Sequence, residues 1–283
     1  MSSMTEESRR DRAGAILFAG TAAEILVPTE ATAGAFSLLR IANPADCWTP
    51  RHLHRNEDET VFVLSGLLRV EMEERAMDVG PGQAIVLSRG RPHRLGNPGA
   101  EEARFLVLCT PGGFDAFVRT AGRPMPDGGP AMDETDIARL IQAAPRHGIE
   151  LLPPETLRPV ANEDAAVPAA SREIDVLGSR IQVLAEFGGA DDDLCLMRGL
   201  LLPGCTVPMN THVGYEVLYG LGGVVDLCVG AVGEAATRAV GAGQVMNISG
   251  GVPRALSNRG DVPAEILLIT QRRVAEQFGE TSA

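Results

Sequence analysis

The stretch PRHLHRNEDE at residues 50–59 decides how the rest of the chain is interpreted. His52 and His54 are two residues apart, so on a β-strand both imidazoles point to the same face. The apolar run TVFVL that follows Glu59 predicts the next strand, and a Ser-Gly turn signal ends it. His93 adds a third imidazole further along the chain. Three imidazoles and one carboxylate form a ligand set that suits a divalent first-row metal with open positions for a substrate.

These residues belong to two motifs whose spacing resembles that of the cupin family. The motifs are His52-x-His54-x4-Glu59-x6-Gly66 and Gly82-x5-Ser88-x-Gly90-x2-His93-x3-Asn97, with Ser88 where the family usually has proline. Cupins bind one metal ion through the His, His, Glu and His of these motifs, inside a small β-barrel. The resemblance therefore implies one divalent transition metal (Fe, Mn, Ni, Co, Cu or Zn), held by His52, His54, Glu59 and His93. Three of the chain's five histidines fall on motif positions, and scattered surface histidines would have no reason to do so.

Composition limits the class of protein and its partners. The chain has 283 residues, enough for one large or two ordinary domains. Its net charge is −12, which argues against nucleic acid and against an anionic membrane surface as partners. All 25 basic residues are arginine, so lysine Schiff-base chemistry is excluded. The expected partner, a small-molecule substrate, is implied by the resemblance to cupins.

Cysteine usage and hydropathy predict a cytoplasmic protein. The five cysteines are odd in number and form no CxxC pair, which is typical of reduced, mostly buried thiols. The polar first twelve residues contain no apolar core of the length that a signal peptide needs. No run approaches eighteen apolar residues, so no membrane-spanning segment is expected.

The second half of the sequence repeats the plan of the first. Three residues recur at an offset of 158, namely Cys47, Pro50 and His54 as Cys205, Pro208 and His212. Glu59 recurs as Glu216 at an offset of 157. The second motif recurs at an offset of 161, with Gly82, Ser88, Gly90 and Asn97 matched by Gly243, Ser249, Gly251 and Asn258. The sequence therefore contains an internal repeat of one supersecondary arrangement, which resembles a bicupin.

The second copy departs from the first at two of the four ligand positions. Asn210 replaces the first His, and Arg254 replaces the last, so that only His212 and Glu216 remain. A guanidinium is not deprotonated in proteins and does not bind a cation, so no metal is expected here. We expect Arg254 to lie near Glu216 as an ion pair. The alternative is that Arg254, His212 and Asn210 bind an anionic small molecule.

An all-β fold of two tandem cupin barrels follows, each a jelly-roll or double-stranded β-helix, with a few short helices between and after them. Predicted strands follow one another at short intervals with turn residues between them, as in a sandwich or barrel. The expected organisation is a disordered segment at 1–13, a first barrel with a helical extension at 14–152, a linker at 153–172 and a second barrel at 173–283.

Helices are predicted from periodicity at three places. A short first helix is indicated by Phe114, Phe117 and Val118. A second begins near residue 132, with acidic residues in its first turn. Its apolar stripe consists of Ile137, Leu140, Ile141 and Ala144. Residues 272–278 are predicted to form a terminal helix.

The first barrel resembles the metal site of quercetin-type dioxygenases. In those enzymes an enolate or hydroxyl oxygen of the substrate binds the metal, and the motif Glu takes or shares its proton. The resemblance implies that Glu59 is both ligand and catalytic base, and that O₂ is a second substrate. Base catalysis near neutral pH requires the pKa of Glu59 to rise. The predicted function is a dioxygenase acting on a small aromatic or enol-bearing, flavonol-like substrate.

An apolar substrate pocket is expected beside this centre. Val61 and Val63 follow Glu59 on one strand face, and Leu95 lies on the face that bears the third imidazole. Trp48, the only tryptophan, is predicted to lie at the mouth. Such a lining suits an aromatic or otherwise hydrophobic oxygenated ligand.

Two other classes of function remain open. The first is an isomerase, cyclase or decarboxylase that uses the metal as a Lewis acid without O₂. The second is a non-catalytic bicupin that binds a small molecule or has a structural role. Oxalate-degrading bicupins usually keep metal ligands in both barrels, which the second half of this chain does not. The resemblance also implies a homodimer.

Overall fold

A computed structural model describes residues 14–72, 75–126, 129–153, 172–176, 179–187, 194–231 and 233–271. The segment predicted to be disordered, residues 154–171 of the predicted linker and the predicted terminal helix lie outside these ranges. Contacts divide the chain into two compact units, residues 1–167 and 168–283. Each unit is a barrel of antiparallel strands.

The first unit contains twelve strands and two α-helices among the described residues. The strands are β1 (Ile16–Phe18), β2 (Thr21–Val27), β3 (Ser37–Asn43), β4 (His52–His54), β5 (Asp58–Ser65), β6 (Leu68–Met72), β7 (Ala76–Val79), β8 (Ala84–Leu87), β9 (His93–Gly96), β10 (Ala103–Thr110), β11 (Arg123–Pro124) and β12 (Ile149–Leu151). The helices are α1 (Phe114–Ala121) and α2 (Glu134–Ala143).

Two sheets form the walls of this first barrel. One has the strand order β11-β1-β2-β3-β10-β5-β8 and the other β12-β4-β9-β6-β7. Strand β6 shows why the sequence folds this way, since Leu68 and Val70 are fully buried while Arg69 faces outward. Outside, Arg69 Nε donates to Asp78 Oδ1 of β7 at 2.6 Å. The apolar faces of both sheets meet in one core.

The second unit repeats this architecture, with ten strands in the part of it that the structure describes. They are β13 (Arg172–Val176), β14 (Ser179–Phe187), β15 (Leu194–Leu201), β16 (Thr206–Asn210), β17 (Glu216–Gly222), β18 (Val224–Val229), β19 (Ala236–Gly241), β20 (Val245–Ile248), β21 (Arg254–Ser257) and β22 (Ala264–Gln271). The sheets have the orders β13-β14-β15-β22-β17-β20 and β16-β21-β18-β19. The expected fold of two tandem barrels with few short helices is confirmed.

Equivalent residues of the two copies make the same hydrogen bonds. Asn97 Nδ2 donates to the carbonyl of Asn43 at 2.9 Å and to that of Glu101 at 2.8 Å. Its counterpart Asn258 donates to the carbonyls of Leu201 and Val262 at the same two distances. In both copies the side-chain oxygen accepts from the backbone N–H two residues later. The repeat seen in the sequence is therefore a repeat of structure.

Both expected helices of the first unit are present, but the second turns a different face to the barrel. Asp133 caps α2 by accepting from the Asp136 backbone, with the reciprocal bond also formed. Leu140 is buried, whereas Ile137 and Ile141 are 48% and 57% exposed. Half of the predicted stripe therefore faces outward. No helix among the described residues has the length and apolar character needed to cross a membrane.

Strand β9 requires glycine at its end because the indole of Trp48 packs directly on the backbone there. A Cβ at Gly96 would lie 2.1 Å from two atoms of the Trp48 ring. Gly96→Ala is therefore expected to cost about 1–3 kcal/mol of unfolding free energy through overpacking. Urea unfolding followed by Trp48 fluorescence measures this loss. Gly80→Ala is the matched control, because the nearest atom there is 3.6 Å away; equal stabilities of the two variants would contradict the prediction.

Candidate metal centre

Four side chains from three strands converge inside the first barrel. Strand β4 carries His52 and His54 on one face, and Glu59 is the second residue of β5. Antiparallel pairing of β4 with β9 places His93 directly opposite His52. One ligand atom from each of the four side chains lies within 4.8 Å of all the others. The two motifs are thus joined by strand pairing into one metal-binding group.

Hydrogen bonds at the outer nitrogen of each ring fix how the imidazoles point. In His52 and His93, Nδ1 lies 2.7 and 3.0 Å from the backbone carbonyl two residues earlier. A carbonyl only accepts, so Nδ1 carries the proton and Nε2 has a free lone pair in the neutral ring. His54 Nδ1 instead lies 3.1 Å from Glu57 Oε2. All three rings are therefore held in the state that binds a metal through Nε2.

The inner atoms fit a divalent cation. Glu59 Oε2 lies 3.1 Å from His93 Nε2 and 3.5 Å from His54 Nε2. Within the described part of the chain, His54 Nε2 is a buried nitrogen without a hydrogen-bond partner. Buried polar atoms rarely lack a partner, and neutral imidazole with carboxylate is the donor set of first-row divalent metals. The residues present thus suit such an ion.

The electrostatics of the group keep Glu59 in its ionised form. Burial acts to raise the pKa of Glu59, but the close contact with His93 and the charges of the imidazoles lower it to about 2. Catalysis by a general base near neutral pH would need the opposite shift. Burial acts to lower the pKa of His54, yet the hydrogen bond with Glu57 and the nearby carboxylates raise it. Burial and the neighbouring imidazoles lower the pKa of His52 to about 3.

An apolar cavity opens beside the ligand group. His52 and Glu59 lie in its wall. The main apolar contributors are Phe18, Ile41, Leu95, Phe105, Phe114 and Phe117. Phe18 meets Phe114 and Phe117 edge to face, with ring centroids 5.8 and 5.2 Å apart. The ring of Phe114 also lies 5.3 Å from that of His54. The cavity therefore has an aromatic wall next to a metal ligand.

Only Leu95 of the four predicted pocket residues lines this cavity among the described residues. Val61 and Val63 are fully buried in the barrel core, because the strand carries them away from the ligands into the apolar interior. Trp48 packs against Gly96, and the guanidinium of Arg94 lies 4.7 Å above its ring. Trp48 is thus held between strands and does not stand at the mouth.

Sequence reasoning missed two sets of residues. Phe114 and Phe117 were recognised only as helix formers, although their spacing of three residues places both on one helix face. Glu57 was passed over between the two motif positions, although a buried carboxylate three residues after a ligand His is a common partner for its outer nitrogen. Glu57 is only 3% exposed, which the charged run NEDE does not indicate.

The second barrel replaces the metal-binding group with an internal ion pair. Arg254 lies opposite Asn210 on the paired strands β21 and β16, just as His93 lies opposite His52. Its Nε donates to Glu216 Oε1 at 2.6 Å, and its Nη2 contacts Glu216 Oε2 and His212. Arg254 and Glu216 are 3% and 2% exposed.

The expected ion pair in the second barrel is therefore present. Glu216 compensates the charge of Arg254, which favours the ion-pair interpretation over the anion-binding alternative. The side-chain amide of Asn210 is also engaged within the protein, because its Nδ2 donates to the carbonyl of Pro208 at 2.9 Å.

Comparison with known families agrees with this geometry. The model of the cupin domain matches residues 39–109 and again residues 197–270, which together make up half of the chain. The chain belongs to the cupin family, with one cupin domain in each half. A search of curated proteins gave no match.

Solved structures of oxalate decarboxylase from Bacillus subtilis share the fold. The structure at pH 4.6 has a TM-score of 0.56 and 18% identity, covering 90% of this chain and 73% of that one. A structure concerned with the Mn(II) centres of the same enzyme has a TM-score of 0.58 and 19% identity, covering 90% and 74%. The chain is thus similar to a metal-dependent bicupin enzyme in its architecture.

Acidification from pH 6.5 to 3 is expected to destabilise the metal-free first barrel. Between these values the unfolded chain binds a proton at residue 52 that folded His52 does not, since its folded pKa is about 3 against an ordinary 6.5. The lowered pKa of Glu59 acts in the same direction between pH 4.5 and about 2. Urea unfolding of chelator-treated protein at several pH values, followed by Trp48 fluorescence, measures the slope. His52→Gln should flatten it, and an unchanged slope would count against the assignment.

Removal of the cation from the second barrel is expected to destabilise that barrel strongly. Arg254→Met leaves the Glu216 carboxylate buried without compensation, which costs about 3–5 kcal/mol. The double variant Arg254→Met/Glu216→Leu removes both charges and should recover most of that loss. Hydrogen exchange of peptides from β17 and β21 measures the local stability. Protection in the single variant equal to that of the parent would show that the pair is not needed.

Proposed function

We propose that this metal-dependent cupin is an enzyme whose metal acts as a Lewis acid on a small oxygenated substrate, in a decarboxylation or an isomerisation that needs no O₂. The observation that carries the proposal is the metal-binding group in the wall of an apolar cavity. When bound, the metal supplies a site that polarises a carbonyl or carboxylate oxygen. The ligand set is His52, His54, Glu59 and His93.

The protein's own residues hold and shield this site. Four protein ligands leave one or two positions open on a five- or six-coordinate ion. The divalent ion and Glu59 together carry a net charge near +1, which attracts an anionic substrate oxygen. The aromatic wall excludes water beside these positions, and this strengthens electrostatic interactions with the reacting oxygen. The low pKa of Glu59 keeps it ionised as a ligand.

The cavity favours a substrate with a larger apolar body than oxalate. Oxalate decarboxylase, with which the fold is shared, is named for a two-carbon dianion. In the described residues, the cavity wall includes no arginine, whereas its aromatic side chains suit a flat apolar group. Asn43 adds a polar group to the wall, and its Oδ1 is buried without a hydrogen-bond partner. A hydroxylated aromatic or enolic acid matches these features.

The aromatic wall also supports the second candidate, a dioxygenase that acts on a flavonol-like substrate. The ligand set is compatible with a redox-active metal, and O₂ could take the second open position. The first candidate is preferred because the shared architecture is that of a decarboxylase.

Turnover with and without oxygen separates the two candidates. Protein reconstituted with Mn²⁺, Fe²⁺ or Zn²⁺ is expected to release CO₂ from, or isomerise, a member of a panel of hydroxyaromatic and enolic acids under argon. Consumption of O₂ that accompanies turnover, with none under argon, would instead select the dioxygenase. Failure on every metal and substrate would leave the binding role.

Metal content provides the matched control. His54→Ala is expected to lose about one equivalent of metal and all turnover, because one of the four metal ligands is then missing. His212→Ala changes the equivalent residue of the second barrel and should keep both. Plasma mass spectrometry of each purified variant measures the metal. Equal metal loss in both variants would contradict the placement of the centre in the first barrel.

A further inference from the structure

We infer that Glu57 is a positioning residue that orients His54 and lowers the charge of the metal centre, so that the centre disfavours a dianionic ligand relative to a ligand of lower charge. This inference rests on the proposed function, because it concerns the ligand that the open metal positions take. Glu57 belongs to neither motif and is not itself within the group of four ligands.

The contact between Glu57 and His54 differs from those behind the other two ligand rings. His52 and His93 donate from Nδ1 to neutral backbone carbonyls, whereas His54 donates to a carboxylate at 3.1 Å. Both partners of this bond are buried, with side-chain exposures of 2% for His54 and 4% for Glu57. A carboxylate behind a ligand imidazole fixes its orientation and raises its basicity, which tightens metal binding.

Helix α1 holds Glu57 in place from the other side. A Cβ at Gly113, the residue before the helix, would lie 2.8 Å from Glu57 Oε1. The backbone of the helix start thus packs on the carboxylate, where the helix dipole favours a negative charge. Phe114, the first residue of the same helix, lies against the ring of His54. Glu57 and Phe114 therefore fix one ligand ring by its edge and its face.

The charge of Glu57 changes what the centre attracts. A divalent ion with Glu59 alone keeps one positive charge, and Glu57, which lies behind His54, offsets part of that charge within the same buried site. Charge interactions are strong there because the surroundings screen them poorly. A dianion such as oxalate would therefore bring a larger excess of negative charge into the cavity than a monoanion such as oxamate, and a neutral enol would bring none.

The second barrel offers an internal comparison. The residues between His212 and Glu216 are Val213, Gly214 and Tyr215, so no carboxylate occupies the place of Glu57. This copy has also exchanged two of the four ligands, for Asn210 and Arg254. The supporting carboxylate is therefore present in the copy with the full ligand set and absent from the other.

A matched pair of probes tests the effect on charge. Oxalate and its monoamide oxamate have the same shape and differ by one negative charge. Their dissociation constants are measured by calorimetry on Zn²⁺-loaded protein, for the parent and for Glu57→Gln. The ratio of oxalate to oxamate affinity should rise on the order of tenfold in Glu57→Gln, which is about 1.4 kcal/mol. Asp58→Asn is the control, since it removes a charge that is paired at the surface with Arg89 at 2.8 Å, and its ratio should equal that of the parent.

Metal affinity tests the orienting role separately. Glu57→Gln should bind Zn²⁺ about 10- to 100-fold more weakly than the parent, and the ring nitrogens of His54 should shift in ¹⁵N spectra while those of His93 stay. A parent-like metal affinity and a parent-like oxalate-to-oxamate ratio would overturn the inference. If neither probe binds any variant, the open positions required by the proposed function are absent. That result would contradict both the proposed function and the selection of ligands by charge. Weakened metal binding in Glu57→Gln would still support the orienting role in that case.

Discussion

A buried carboxylate at the same position of each barrel is the constraint on which the rest of the structure depends. Glu59 and Glu216 are 3% and 2% exposed, and they are the second residue of β5 and the first residue of β17. An ionised carboxylate in a barrel interior is costly unless a cation or hydrogen-bond donors compensate it. The first barrel surrounds its carboxylate with three imidazoles that suit a metal. The second supplies Arg254, which brings the cation on its own side chain.

The shape of the first site follows from the helical extension as much as from the barrel. Pairing of β4 with β9 brings the imidazoles together, and the other sheet of the barrel supplies Glu59. The helical extension covers the site beside these ligands. Helix α1 places Phe114 and Phe117 there, against Phe18 of β1. The result is an aromatic surface directly beside the metal ligands. The chemistry thus depends on the β motif, and the choice of substrate depends on the segment that is added to it.

The sequence was sufficient for the ligands because their spacing reflects strand geometry. Two histidines separated by one residue share a strand face, and an internal repeat with offsets near 158 made the loss of ligands at Asn210 and Arg254 visible. It was insufficient for the cavity wall, since Phe114 and Phe117 reach the site only through packing between distant segments. Trp48 and Val61 were predicted to line the pocket from strand alternation and neighbouring residues. These local patterns do not show how far from the ligands a side chain lies within the barrel. The apolar stripe of α2 was predicted to be buried as a whole for the same reason. Periodicity identifies the apolar positions, and only packing decides which of them are buried.

The two ways of compensating the buried carboxylate have different thermodynamic consequences. Arg254 is covalently tethered, so its effective concentration at Glu216 does not change with dilution or with the surrounding medium. A metal ion at Glu59 is exchangeable, and it adds to the stability of its barrel by mass action, in proportion to the logarithm of its free concentration. The stability of the first barrel therefore depends on the free metal concentration, whereas that of the second barrel does not, although the two barrels share one fold.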